Sequence, residues 1–234
     1  MLPIAILAGG YATRLGSIAK GYPKCLIEIN GRPFVDWQLD LLIKNGYDNF
    51  IFCVSYKSEQ IQEYLGNGAR YGVQIRYSID GEKQLGTGGA IRNALYLLGS
   101  KFGVIYGDSY LPTDFSKIEN YFLDSKKSAT MTVYKNQNLF DISNVEYVNG
   151  KIISYKKGFD DSNMTHIDYG LSYFNNKPFS EYADMTHFDL SRLCEDLALK
   201  DDLDGFEVTE RFYEIGSHQG IAQFSEFSLG KDLE

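Results

Sequence analysis

Short β-rich runs alternate with segments of helical period through the first half of the chain, and this alternation restricts the fold more than any other feature. Apolar runs at Ile4–Leu7, Asn49–Val54, Ile75–Ile79 and Phe102–Tyr106 read as strands. Between them, Phe34, Trp37, Leu41 and Leu42 recur at helical spacing before a stop at Asn45-Gly46. Ile61, Tyr64 and Leu65 predict a shorter helix ending at Gly66, and a third helix is expected from about Gly89 to Leu98. Strands separated by crossover helices predict an α/β fold, doubly wound, with a mostly parallel sheet flanked by helices. After Ala129 the strands come closer together (Ala129–Tyr134, Asn144–Tyr147, Ile152–Tyr155, Ile167–Phe174), so the later half is expected to be more antiparallel and to complete the sheet. A helix around Leu190–Leu199 and a last strand near Tyr213–Ile215 follow. No Pro/Ser linker, repeat or low-complexity stretch divides the chain, and one domain over 1–234 is expected for a chain long enough to bury one large core.

Charge and cysteine usage exclude several classes. The 31 acidic and 23 basic residues give a net charge of −8, and no Lys/Arg stripe offers a footprint for a phosphate backbone, so nucleic acid is excluded as a partner. The amino terminus runs from Met1-Leu2-Pro3 into a strand-like segment without a basic leader, and no apolar run reaches membrane-spanning length; a cytoplasmic protein with no membrane partner is expected. Cys25, Cys53 and Cys194 are odd in number, widely spaced and set among apolar neighbours, which predicts buried reduced thiols.

The segment that carries chemistry is Leu7-Ala8-Gly9-Gly10-Tyr11-Ala12-Thr13-Arg14-Leu15, with Pro23-Lys24 downstream. Directly after a buried strand, two glycines let the backbone approach a ligand and aim its N–H groups at phosphate oxygens. Arg14 and Lys24 add two cations to the same space. Gly86-Thr87-Gly88-Gly89, between a strand and a helix, would place further amides and a helix N-terminus beside a nucleotide. There is no Gly-Lys-Ser/Thr, and Ile91 stands where a dinucleotide fingerprint needs its third glycine, which argues against ATPase and hydride chemistry. Asp108 closes the run Val104-Ile105-Tyr106 and so lies at the carboxyl end of a central strand, a position suited to Mg²⁺ held by a carboxylate and substrate phosphates.

Together these segments resemble the sugar-1-phosphate nucleotidyltransferases, and the resemblance spans nearly the whole chain. It is nearest to short bacterial members such as the heptose 1-phosphate guanylyltransferases and the N-acetylmuramate 1-phosphate uridylyltransferases. Within that resemblance Gly86–Ala90 corresponds to the second glycine-rich turn, Tyr106–Ser109 to the metal-binding turn, and Tyr213–Ser217 to a late segment in which the usual Asp is replaced by Glu214. The resemblance implies a Rossmann-like fold of the nucleotide-diphospho-sugar transferase type, with residues 1–128 as the nucleotide-binding half and 129–234 as the acceptor-binding half. It implies Mg²⁺ at Asp108 and Glu214, and substrate contacts from Lys156 or Lys157, Asn144, Asp168, Gly170 and His218. Tyr155-Lys156 stands where many members have Glu-Lys.

The reaction expected is a direct in-line displacement by an acceptor phosphate on the α-phosphorus of a nucleoside triphosphate. Catalysis would come from positioning and charge cancellation, with Arg14 and Lys24 serving the triphosphate. The base is open among GTP, CTP and UTP, with the resemblance favouring GTP; the acceptor is a sugar 1-phosphate or another phosphorylated compound. A rival of another class is a non-catalytic nucleotide-sensing subunit. A homo-oligomer is open.

Overall fold

Ile4, Ala5 and Ile6 are fully buried in succession, and a strand with no polar face must have layers on both sides. The computed structural model describes residues 1–10, 21–55, 57–81, 83–158 and 161–231. In chain order the strands are β1 (Ile4–Leu7), β2 (Glu28–Ile29), β3 (Arg32–Pro33), β4 (Asn49–Val54), β5 (Gln74–Ile79), β6 (Lys101–Tyr106), β7 (Ser109–Tyr110), β8 (Ala129–Lys135), β9 (Val145–Val148), β10 (Lys151–Tyr155), β11 (His166–Asn175), β12 (Leu203–Val208) and β13 (Tyr213–Glu214). The helices are α1 (Phe34–Lys44), α2 (Ser58–Leu65), α3 (Gly86–Leu98), α4 (Phe115–Asp124), α5 (Leu190–Leu199) and α6 (His218–Lys231).

A nine-stranded sheet runs β10-β9-β11-β6-β1-β4-β5, with β8 also on β11 and β12 outside β8. The expectation of a doubly wound sheet flanked by helices holds, and the first half of the chain supplies its parallel part: β1 is parallel to β4 and β6, and β4 to β5. β11 runs antiparallel to β6, β8 and β9. One face of the sheet packs on α3 and α5, the other on α1, α2 and α4. The fully buried Phe224 of α6 sets its ring edge-on to Phe34 and Trp37, at centroid distances of 5.1 and 6.1 Å, and so ties the last helix to α1. Each such pair contributes about 0.5–1.5 kcal/mol beyond its area.

Among the strands and α-helices of six residues or more, three lie beyond the sequence reading, as do the two-residue strands β2, β3 and β7. α4 is entered through Asp114, whose Oδ1 accepts from the amides of Ser116 and Lys117. α6 follows the late motif directly. β12 is obscured in sequence by its glycine, yet Gly205 is required: a Cβ there would run into Tyr147 and Ile152. β12 also pairs in parallel with β8, so the later half is mixed rather than uniformly antiparallel.

Two features of the sheet position the site. From β1 the chain moves outward to β4 and β5 and returns to the other side of β1 at β6, so Leu7 is flanked by Cys53 and Tyr106 where the strand order reverses. Open α/β sheets bind ligands at this kind of crevice. The pairing of β11 with β8 shifts register between Asp168 and Ser172, and Gly170 within the shift has φ +102°. Such irregularities redirect side chains; here Asp168 and Gly170 line a cavity next to the crevice, on the other side of Tyr106 and Asp108.

Candidate active site

The turns leaving β1, β4 and β6 enclose a cavity of about 290 Å³ lined by Leu7 to Gly10, Cys53, Ser55, Asp80, Gln84, Gly86, Thr87 and Gly107-Asp108, among others. Ala8 N–H donates to Cys53 O and Gly107 N–H to Leu7 O, so the ladder continues past the strand ends and fixes the floor. A Cβ on Gly107 would lie 2.9 Å from Leu7 O and 3.2 Å from the Cα of Ala8, which is why glycine stands there. The amides of Gly9, Gly10, Gly86 and Thr87 have no acceptor among the described residues, and such amides could meet the oxygens of an anionic ligand. Gly9 O is held by Ser55 Oγ at 2.7 Å and Gln84 Nε2 at 3.0 Å, a clasp between the two glycine segments.

The second glycine segment differs from its expected form. α3 begins at Gly86 rather than near Gly89, so all four residues belong to its first turn. Gly88 and Gly89 donate their N–H groups to Phe188 O at 3.0 and 3.1 Å instead of facing a ligand. A Cβ on Gly88 would collide with the Phe188 ring, and one on Gly86 with the Phe188 carbonyl. Thr87 Oγ1 accepts from Leu190 N at 2.8 Å and closes the start of α5. Half of this motif therefore docks α3 against the segment before α5.

Asp108 and Lys24 meet on a wall shared with a second cavity. Lys24 Nζ donates to Asp108 Oδ2 at 2.9 Å, the two side chains being 22% and 30% exposed. The turn that carries Asp108 is held by Gln38, a fully buried residue of α1 whose Nε2 donates to Tyr106 O at 2.8 Å and Ser109 O at 2.7 Å. Ile215 N–H donates to Asp108 O from the other side, beside the β7–β13 ribbon. That ribbon pairs Glu214 with Ser109, but its carboxylate turns back on its own chain: Oε1 accepts from Ser217 Oγ at 2.6 Å and Oε2 from Gly216 N–H. Among the described residues no group of three or more His, Cys, Asp or Glu gathers to hold a metal, so any ion here would need substrate oxygens to complete its shell.

The second cavity, about 770 Å³, is lined by Lys24, Asp108, Asn144, Lys157, Asp168, Gly170, Arg211, Glu214 and Gln219, among others. Asn144 Oδ1 accepts from Asp168 N at 2.9 Å, and Asp168 Oδ1 from Gly170 N at 3.0 Å. Burial raises the Asp168 pKa above the usual carboxylate value, against the lowering influence of the Gly170 amide, Lys157 and the Tyr155 hydroxyl. Lys157, not Lys156, lines this cavity, with its Nζ 5.5 Å from the Tyr106 ring centroid; Lys156 gives its backbone N–H to Asn144 O. His218 is exposed at the start of α6. Ala12, Thr13 and Arg14 lie outside the described residues. Cys25 and Cys53 line the first cavity, but burial pushes both thiols up to about 12, which removes thiolate chemistry near neutral pH.

Residues 4–142 match the model of the family described as nucleotidyl transferase. The chain belongs to that family. This transferase is 32% identical over 179 residues to a D-glycero-α-D-manno-heptose 1-phosphate guanylyltransferase from Aneurinibacillus thermoaerophilus, covering 75% of each chain. It is 42% identical over 114 residues to the enzyme of the same name from Campylobacter jejuni; that match covers 49% of this chain and spans about half (51%) of the Campylobacter enzyme's length. Among solved structures, HddC from Yersinia pseudotuberculosis complexed with GMP-PN superposes with a TM-score of 0.79 at 25% identity, over 97% of this chain and 99% of that one. An inositol-1-phosphate CTP transferase from T. maritima shares the fold, with a TM-score of 0.81 at 21% identity over 97% and 94%.

Proposed function

We propose that this chain, acting as one nucleotidyltransferase domain over 1–234, transfers the guanylyl group of GTP to a heptose 1-phosphate and releases pyrophosphate. The observation that carries the reading is the Lys24–Asp108 pair on the wall common to the two cavities. One cavity has free backbone amides for a triphosphate; the other has a mixed polar lining for an acceptor. An acceptor phosphate oxygen attacks the α-phosphorus, the bond to the β-phosphate oxygen breaks, and pyrophosphate leaves on the opposite side. The attacking phosphate is already ionised, so no protein nucleophile or base is needed. Lys24, with Arg14 from the first motif, offsets charge on the transferring group, and the amides of Gly9, Gly10, Gly86 and Thr87 orient it.

The carboxylate oxygens of Asp108 and Glu214 suit a hard cation completed by substrate phosphates, and these two residues would hold Mg²⁺. When bound, the ion supplies further charge neutralisation at the phosphoryl oxygens.

GTP is favoured by the names of the relatives and by Asp80. Asp80 lines the first cavity; its Oδ2 accepts from Leu85 N at 3.1 Å, while its Oδ1 is shut from solvent and has no partner among the described residues. Burial raises its pKa. A free carboxylate oxygen is the acceptor that guanine's N1–H and N2–H₂ donors need, and an unpartnered buried oxygen is costly until it finds one. Pyrophosphate release with each of the four nucleoside triphosphates, Mg²⁺ and heptose 1-phosphate tests the reading. GTP should support turnover; release with CTP or UTP in its place would overturn the choice of base, and no release with any nucleotide would overturn the reaction.

A further inference from the structure

Arg211 is a cation on the wall of the second cavity. Among the described residues no carboxylate lies within ion-pair distance of it. One arm donates to Gln223 Oε1 at 2.5 Å, and Nε is shut from solvent with no acceptor among the described residues. The guanidinium lies 4.0 Å from the Phe140 ring centroid and 4.8 Å from that of Tyr213. Phe140 is itself held in place, because the fully buried Asn136 grips its loop: Nδ2 donates to Asp141 O at 2.6 Å and Oδ1 accepts from Phe140 N at 3.2 Å. A half-buried, stacked and tethered guanidinium on the wall of a cavity is a preorganised hydrogen-bond fork.

We infer that Arg211, with Gln219, Gln223 and Asp141, forms a subsite for the exocyclic hydroxyls of the acceptor, and that it sets the preference for a heptose over a hexose. This rests on the proposed reaction. The lining carries three cations, Lys24, Lys157 and Arg211, against four carboxylates, Asp108, Asp141, Asp168 and Glu214. The lining is therefore mixed in sign rather than a one-signed pocket. A hydroxyl both donates and accepts, and it matches the mixture of guanidinium, amide and carboxylate around Arg211. Phe140, Phe212 and Tyr213 supply the apolar faces against which the carbon skeleton of a sugar packs. A hexose 1-phosphate lacks the additional hydroxymethylene carbon and leaves that part of the lining without a partner, which is how a polar site rejects a shorter analogue.

The test measures kcat and KM for heptose 1-phosphate and mannose 1-phosphate in the parent protein, Arg211→Gln and Gln223→Ala, with GTP-dependent thermal stabilisation recorded for each. Gln223→Ala removes the tether but neither ring, and it keeps the question answerable if Arg211→Gln folds poorly. The parent should prefer the heptose by about tenfold to a hundredfold in kcat/KM, the worth of one hydrogen bond to a charged group. Arg211→Gln should erase most of that preference through the KM for heptose, and Gln223→Ala part of it. Equal losses on both acceptors, or a parent preference for an acceptor with a second acidic group, would overturn the inference alone. GTP binding with turnover of neither acceptor would overturn the proposed reaction together with it.

Discussion

Lys24 Nζ sits 2.9 Å from Asp108 Oδ2, so the cation assigned to the triphosphate and the carboxylate assigned to the metal neutralise each other before any substrate arrives. Phosphates must draw Lys24 away for both groups to act. Asp108→Asn and Lys24→Met should each cut turnover by about a hundredfold, as loss of a preorganised charge contact does. Residues that act as a unit are not additive, so the double variant should lose far less than the product of the two. Steady-state kinetics across this cycle decide it, and strictly multiplicative losses would separate the two roles.

Gln38 is a positioning residue that no motif reports. Replacing it by Leu removes the donor to Tyr106 O and Ser109 O, the carbonyls on either side of the Asp108 turn. Leaving buried carbonyls unmet costs about 1–3 kcal/mol each. Gln38→Leu should therefore lower stability to denaturant and raise the Mg²⁺ concentration giving half-maximal rate. A variant destabilised without any change in Mg²⁺ dependence would confine Gln38 to a structural role.

Gly220 and Gly230 lie in the same helix and should respond oppositely to alanine. At Gly220 a Cβ would collide with the carboxylate and carbonyl of Glu214, whereas none of the described residues lies within 4 Å of the same position on Gly230. Gly230→Ala, in the last turn of α6, should stabilise by at most the roughly 0.5–1 kcal/mol of a helix-interior exchange. Gly220→Ala should destabilise by roughly 1–3 kcal/mol through overpacking. It should also reduce turnover by displacing the Glu214 carboxylate from its turn. Thermal melts and initial rates of the two variants give the comparison, and a stabilised, active Gly220→Ala would mean that Glu214 moves without consequence.

Asp168 should make the fold pH-sensitive in a defined direction. Its folded pKa is raised by burial above the unfolded value, so the native state binds the proton more tightly than the unfolded chain. The resulting cost to stability is fully present above the folded pKa and disappears as pH falls through the folded pKa toward the unfolded one. Asp168→Asn, which retains an oxygen for the Gly170 amide, should melt higher than the parent at pH 8, with the gap closing as pH is lowered. Its acceptor KM should rise. A gap that widens toward acid would reverse the assignment.

The sequence by itself determined the parts of this protein that rest on local chemistry. Periodicity located β1, β4, β5 and β6 and the helices between them, because burial on two faces or one stripe is written into consecutive residues. The Gly9-Gly10 turn and Asp108 at a strand end were legible for the same reason. Tertiary structure decided the rest. Gly88 and Gly89 read as phosphate-binding amides until Phe188 supplies their acceptor from far along the chain. Tyr155-Lys156-Lys157 offers two lysines, and only the fold distinguishes Lys157, which lines the cavity, from Lys156, which gives its backbone N–H to Asn144 O. Gln38, Arg211 and Gln223 carry no motif, since their significance lies in which carbonyl, ring or amide the fold brings opposite them. Local pattern fixes backbone shape because it acts over one turn or one strand, whereas a site is assembled across chain separations that no window of sequence can span.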